Sequence, residues 1–273
     1  MRLTAISWNL FHGRDFPPDP RLRTWRSRLL RISERNATHI QVNRDLEAEF
    51  AAMLAGWEWD VALLQECPPR FAEPLADATR AEGHLVLTSR NSLAPLRRVA
   101  AELNPDLIAS GEGGSNLTLV RATGALGPIA ERRGMAIHEG RPERRAMAFT
   151  RTESGVCVAN LHATNDIPSL AAEDVRRAAA AATEWAAGAP LLFGGDLNLR
   201  PGESPGIFTE LEDRFRLTGT TAPEAIDHLL VSGLAQLGTP VRWPGELREL
   251  ELDGLALRLS DHAPLESRLE TSS

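Results

Sequence analysis

The sequence predicts an α/β fold in which two mainly antiparallel β-sheets pack together with helices outside. Three observations lead there. Strand-like runs greatly outnumber helical ones between residues 116 and 161. Strand and helix show no regular alternation elsewhere, which fits packed sheets with peripheral helices. The 273 residues are 42% hydrophobic and contain no repeat or low-complexity linker, enough for a sizeable core in one domain spanning 1–273.

Taken in order, residues 3–10 alternate and predict a first strand ending in Ser7-Trp8-Asn9-Leu10. A loop follows, kept out of a helix by Pro17, Pro18 and Pro20. Residues 21–32 place Trp25, Leu29 and Ile32 at helical spacing and predict an amphipathic helix. Its five arginines read as a solvated face, with a phosphate-facing role as the alternative. Residues 33–43 have weak periodicity and no assignment. A helix is expected over 45–54, a buried strand over 59–64 running into Gln65-Glu66, a helix over 69–82 and a short strand over 85–87. Another helix is expected over 92–103 and a flexible turn at Gly111-Glu112-Gly113-Gly114. Strand 116–120 precedes further strands over 121–140, with turns at Gly124, Gly127 and Gly134. Residues 144–150 and 156–161 predict an antiparallel pair around the turn Glu153-Ser154-Gly155. The alanine-rich run 171–187, stopped by Gly188, is the clearest helix. A short helix near 208–211 and strands over 226–231, 237–243 and 263–269 complete the chain.

Composition narrows the function classes. The net charge of −7 and pI near 5.6 lack the basic footprint of an electrostatic nucleic-acid binder, although a local groove can differ from the total. All 30 basic residues are arginine, and tyrosine is absent, so lysine and phenol chemistry are excluded. Cys67 and Cys157 lack metal spacing and read as buried reduced thiols. No apolar run approaches the roughly 20 residues of a membrane span, and the N-terminus is too short and polar for a signal peptide. A cytoplasmic protein is expected.

The stretch 191–201, Leu-Leu-Phe-Gly-Gly-Asp-Leu-Asn-Leu-Arg-Pro, is the most informative. A short buried strand runs into two glycines, and Asp196 and Asn198 follow two residues apart. If the chain is still extended there, both side chains leave one face. Alone, they also read as turn residues. Other strand boundaries carry similar groups: Asn9, Glu66, His162 with Asn165, Asp227-His228 and Ser260-Asp261-His262. Six such clusters point to one site. Carboxylate and amide oxygens suit Mg²⁺ or Mn²⁺. Nearby histidines can bind phosphate oxygens or move protons, so metal-assisted phosphoester hydrolysis is the expected chemistry.

The ordered set Ser7-Trp8-Asn9, Leu64-Gln65-Glu66, Asn160-Leu161-His162, Gly195-Asp196-Leu197-Asn198, Ile226-Asp227-His228 and Ser260-Asp261-His262 resembles the endonuclease/exonuclease/phosphatase superfamily. The resemblance runs from residue 3 to residue 269. It implies a four-layer sandwich of two sheets flanked by helices. It implies that Asn9 and Glu66 hold the metal with Asp261 nearby. Asp196 would orient or deprotonate the attacking water, and Asn198 would contact the scissile phosphate. His262 would bind the phosphate with its ring held by Asp227. His162 would stand where some members carry tyrosine. Asn165 matches an asparagine used near the phosphate, and Arg145 would be a phosphate or structural contact.

The chain departs from that pattern in three places. Phe11 stands where some members carry an acidic metal-site residue. The interval from Asn9 to Glu66 is long, which suggests an insertion around 17–43. The glutamate that orients the histidine in the deoxyribonuclease branch has no clear counterpart, Glu112 being the candidate. The expected partner is a phosphate-containing substrate, nucleic acid or small phosphoester, with no obligate protein partner. The competing class is a catalytically weak binding module that kept the fold, but such a module should have lost the metal glutamate or a histidine.

Overall fold

Strand β1 (Arg2–Asn9) lies near the middle of the first of two sheets. In the computed structural model, which describes residues 1–88, 104, 106, 114–139, 144–219 and 221–271, β1 pairs in parallel with β4 (Val61–Cys67) and antiparallel with β16 (Leu265–Thr271). Beyond β4 come β6 (Ser115–Arg121) and β5 (Ala81–Leu87); β12 (Leu234–Gln236) and β13 (Val241–Arg242) border β16. The second sheet has the order β11 (Asp227–Ser232), β10 (Leu191–Asp196), β9 (Cys157–His162), β8 (Arg145–Thr152), β7 (Ile129–His138). Each sheet holds one parallel pair, β1–β4 and β9–β10, among antiparallel neighbours.

Period-two alternation sorts the side chains of β1. Leu3 and Ala5 join Leu63, Val158, Leu192 and Leu229 between the sheets. Ile6 and Trp8 face outward onto Phe50, Leu54 and Leu75. These three residues come from α2 (Glu47–Gly56) and α3 (Ala72–Thr79), which cover the first sheet. On the second sheet, α4 (Pro168–Ala186) and α5 (Pro205–Phe215) lay Val175, Ala178, Ala182 and Leu211 against Phe149, Leu161 and Phe193. The alanines of α4 let its backbone approach the sheet closely. The result is the four-layer order of helices, sheet, sheet, helices. Among the described residues, no helix is long and apolar enough to cross a membrane. Both cysteines are free and buried.

Several expectations change. Residues 21–32 form only a 3₁₀ turn (Pro20–Leu22) and a short α1 (Trp25–Leu30). Its apolar stripe is not buried: Trp25 is 67% exposed and Leu29 52%. Polar tethers hold α1 instead. Thr24 caps it, the Ser27 hydroxyl donates to Gln41, and the Asn43 amide donates to the carbonyls of Ser27 and Arg28. Residues 33–43 contain a small ribbon, β2 (Glu34–Arg35) and β3 (Ile40–Gln41). A second hairpin, β14 (Glu249–Leu252) and β15 (Leu255–Arg258), had no counterpart in the sequence reading. The segment expected to break at Gly134 is one strand, β7, with Gly134 packed on Val86. Strand 237–243 shrinks to β13. The expected helix over 92–103 and residues Gly111, Glu112 and Gly113 lie outside the described residues.

A buried polar bridge ties the sheets together. Asn160 on β9 is fully buried; its Oδ1 accepts from Gln65 Nε2 of β4 at 2.8 Å. Its Nδ2 donates to the carbonyls of Leu64 at 3.2 Å and Leu117 at 3.1 Å. Asn116 on β6 crosses the other way, donating to the Ala146 carbonyl of β8 at 2.8 Å. The Gly194-Gly195 pair makes this approach possible. Gly195 has φ +126°, and a Cβ there would strike the Leu161 carbonyl and crowd Gln65 Nε2. A Cβ on Gly194 would strike the His228 carbonyl.

Replacing Asn160 by Ala removes one of the two acceptors of the buried Gln65 amide, which keeps only the Leu63 carbonyl. An unsatisfied buried group costs roughly 1–3 kcal/mol, so Asn160→Ala is expected to lower the unfolding free energy by at least that. Urea denaturation checks it, and an unchanged midpoint would remove the bridge as a tie between the sheets.

Candidate active site

The carboxyl ends of the two parallel pairs meet. Asn9 closes β1, and its Nδ2 donates to Asp196 Oδ2 at 3.0 Å, at the end of β10 in the other sheet. Register sets Asp196 beside His162 on β9 and Asp227 on β11. On β4 the pairing with β6 shifts between Leu64 and Cys67, and Glu66 takes φ +47°. Such a bulge re-aims a side chain. Glu66 Oε1 comes to 3.9 Å from His162 Nε2, and its Oε2 to 3.2 Å from His12 Nε2.

Asp196 Oδ2 is the convergence point. It lies 3.6 Å from His162 Nε2 and 3.7 Å from His262 Nε2. Asn198 holds the other oxygen by donating its backbone N–H to Asp196 Oδ1 at 3.2 Å. Asn198 is not on an extended strand as expected. It has φ +52°, past the end of β10, and its Nδ2 donates to the Ala163 carbonyl. Burial pushes the Asp196 pKa upward, as do the charges of Asp227 and Glu66; His262 and the Asn9 amide oppose this.

The two histidines are held in opposite charge states. His162 is buried, which lowers its pKa well below the ordinary value, and the Arg145 guanidinium lowers it further. Arg145 Nη1 sits 3.4 Å from His162 Nδ1. A guanidinium can only donate, so Nδ1 accepts and the ring proton is on Nε2, facing Asp196 and Glu66. Among the described residues, Arg145 therefore backs this ring, and the candidate Glu112 lies outside them. Burial acts in the same direction on His262, but Asp227, Asp196 and Asp261 outweigh it and raise the pKa to about 10. His262 Nδ1 donates to Asp227 Oδ2 at 3.0 Å. The loop carrying His262 is fastened by Ser260, whose hydroxyl donates to the Asn9 carbonyl at 2.6 Å and accepts from the His262 N–H at 3.0 Å. Trp8 Nε1 and Arg248 Nη1 both donate to the His262 carbonyl.

Asn9, Glu66 and Asp261 offer only oxygen atoms to a cation. Asp261 Oδ1 is buried and has no hydrogen-bond partner among the described residues. An orphaned carboxylate oxygen beside a second carboxylate fits a hard divalent ion. Burial raises the Asp261 pKa; the His262 charge opposes the rise and Glu66 adds to it. Asp196, Asp227 and His262 also offer atoms within 4.8 Å of one another. Within that cluster His262 and Asp227 already pair at 3.0 Å. Asn165 lies exposed on the bend after β9, and the preceding side chain, Thr164, is bonded to Asp174 of α4 at 2.6 Å.

Sequence reading missed His12 and Arg14. His12 reaches Glu66, and Arg14 feels the charges of Glu66 and Asp261. A histidine three residues after a site asparagine was the available signal, hidden because residues 11–15 read as a plain loop. Phe11 N–H donates to Asn9 Oδ1 at 2.9 Å, so the residue replacing the expected acid orients the asparagine through its backbone.

A sequence model described as the Endonuclease/Exonuclease/phosphatase family matches residues 6–262. No curated protein matches the sequence. Among solved structures, an endonuclease/exonuclease/phosphatase family protein from Bacteroides thetaiotaomicron superposes with TM-score 0.63 at 15% identity, covering 100% of this chain and 99% of that one. A mannosyl-6-phosphatase from the same organism gives 0.61 at 16% identity, covering 98% and 99%. The human Nocturnin catalytic domain with bound sulfate gives 0.64 at 13%, covering 99% and 95%. At these identities the likeness is one of fold.

The His262–Asp227 pair has a pH signature. The folded chain holds this proton more tightly than an unfolded chain with a pKa of 6.5. The resulting stability is complete below about pH 6.5 and is lost as pH rises through about 10. The thermal midpoint of metal-free wild type should therefore fall between those values more than that of Asp227→Asn. Parallel curves for the two proteins would contradict the pairing.

Proposed function

The chain belongs to the endonuclease/exonuclease/phosphatase family, and on that premise we propose that it is a divalent-metal-dependent phosphoester hydrolase that drives water onto phosphorus. The observation that carries the reading is the convergence of Asn9, His162 and His262 on one buried carboxylate, Asp196. The family is generally hydrolytic and typically metal-dependent.

Each residue has a task in this reading. Asn9, Glu66 and Asp261 would hold Mg²⁺ or Mn²⁺, which supplies Lewis-acid charge to a phosphate oxygen. Asp196 orients water and accepts its proton; Asn9 and the Asn198 N–H fix both carboxylate oxygens for that purpose. His262, kept protonated by Asp227, presents Nε2–H to a non-bridging oxygen as charge builds on it. His162, neutral and fixed by Arg145, presents a second N–H without adding charge. Asn198 and Asn165 lie after the two strand ends where the phosphate would rest. A binding module without catalysis is disfavoured because it has no use for opposite histidine charge states around one carboxylate.

Hydrolysis of bis(p-nitrophenyl) phosphate should require added Mg²⁺ or Mn²⁺ and cease with chelator. Glu66→Gln should raise the metal concentration needed for half-activity; an unchanged value would remove Glu66 from the cation set. Asp196→Asn keeps shape but cannot take a proton, so kcat should fall by about 10²–10⁴. Wild-type turnover in a folded Asp196→Asn protein would return Asp196 to the role of a turn residue.

A further inference from the structure

A cavity of about 540 Å³ opens beside the site on the segment after β1. Its walls are Phe11, Arg14, Phe16, Arg23, Trp25 and Arg28. The guanidinium of Arg14 lies over the Phe11 ring at 3.9 Å and that of Arg23 over Phe16 at 4.2 Å. The two rings meet edge to face at 5.6 Å. Trp25 stands at the rim, 67% exposed, and contributes nothing to the core. Among the described residues, no carboxylate pairs with Arg14, Arg23 or Arg28 at salt-bridge distance. These three arginines gather on one cavity in a chain of net charge −7.

The floor carries two carboxylates, both engaged. Asp15 accepts from the Val42 N–H at 2.9 Å, and Asp106 from Gln41 at 3.2 Å. Burial pushes Asp15 up to about 7 and raises Asp106, while the charges of Arg14 and Arg28 act on Asp106 in the opposite direction. Phe11 and Arg14 bring the cavity next to the catalytic end. Both follow Asn9 closely, and the Arg14 carbonyl accepts from the Ser260 N–H at 2.9 Å. Asp261 and Glu66 both act on the Arg14 charge.

Guanidinium forks match phosphate oxygens, and exposed aromatic faces stack planar rings. A ligand using both carries an anionic group on a unit with a planar ring. We propose that this cavity is a substrate subsite for a nucleotide unit lying next to the phosphate that is cleaved. The proposal rests on the hydrolase reading and deepens it. A sugar phosphate would leave Trp25 and Phe16 unused; inorganic phosphate would leave all three rings unused. The nucleotide could belong to a single strand or to a small dinucleotide, and the experiment separates them.

Metal-free protein is titrated with adenosine 5′-monophosphate while tryptophan emission is read. Saturable quenching is expected, lost in Trp25→Phe and shifted to about tenfold weaker affinity in Arg23→Ala/Arg28→Ala. With Mg²⁺, the same double variant should lower kcat/KM for a dinucleotide phosphodiester about tenfold relative to bis(p-nitrophenyl) phosphate, mainly through KM. Arg214→Ala, remote on α5, serves as the control. A single-stranded oligonucleotide turned over better than the dinucleotide assigns the unit to a strand; the reverse assigns it to a small molecule. Absence of quenching, or variants indistinguishable from Arg214→Ala, overturns the subsite. So does a Trp25 response to anionic phosphatidylglycerol vesicles without one to the nucleotide, which would make this face a membrane contact. Nucleotide binding without any hydrolysis would overturn the hydrolase reading and leave the subsite standing.

Discussion

The hydrogen bonds of Asn160 are the constraint on which the site depends. Two sheets packed only through Leu63, Val158, Leu192 and their neighbours could slide, because apolar contact is non-directional. Asn160 removes that freedom by bonding β9 to the Leu64 and Leu117 carbonyls and to the Gln65 amide. Gln65 is next to Glu66, and Asn160 is two residues before His162. One buried side chain therefore fixes the separation of the two halves of the site. The cost of burying an amide is offset because its donors and both bonded carbonyls are satisfied. Gly195 supplies the room, since any side chain there would collide with the Leu161 carbonyl.

Within that frame, chemistry comes from unequal surroundings of similar groups. His162 and His262 both approach Asp196 Oδ2. Arg145 stands behind one ring and Asp227 behind the other, so one is held neutral and the other charged. Asp196 thus faces one neutral and one cationic donor. Exchanging the backing residues would exchange the roles, which is why these positions matter as much as the rings themselves.

The sequence made the strand-end chemistry legible because a short apolar run that stops at Asn9, Glu66, His162 or Asp196 has a distinct pattern. The Asp227–His262 contact is one the family resemblance implies, and the structure places those atoms 3.0 Å apart. What escaped was set by backbone turns and distant polar contacts. Phe11 and His12 have positive φ, and nothing in residue type alone requires that. Arg145 could be read as touching phosphate or structure, and only the fold puts it behind His162. The periodicity of residues 21–32 suggested a buried stripe, but Thr24, Gln41 and Asn43 hold the helix by polar contacts with Trp25 and Leu29 outside.

The central claim is that groups from the two sheets act as one catalytic unit. Asp227 belongs to the second sheet, and His262 to the loop entering β16 of the first. A double-mutant cycle on kcat with Asp227→Asn and His262→Ala, in saturating Mg²⁺ and a simple aryl phosphodiester, tests it most directly. The account predicts that the double variant is little slower than the slower single one, because residues acting as a unit are non-additive. Losses that multiply would contradict it and leave Asp227 a structural acceptor with His262 working alone.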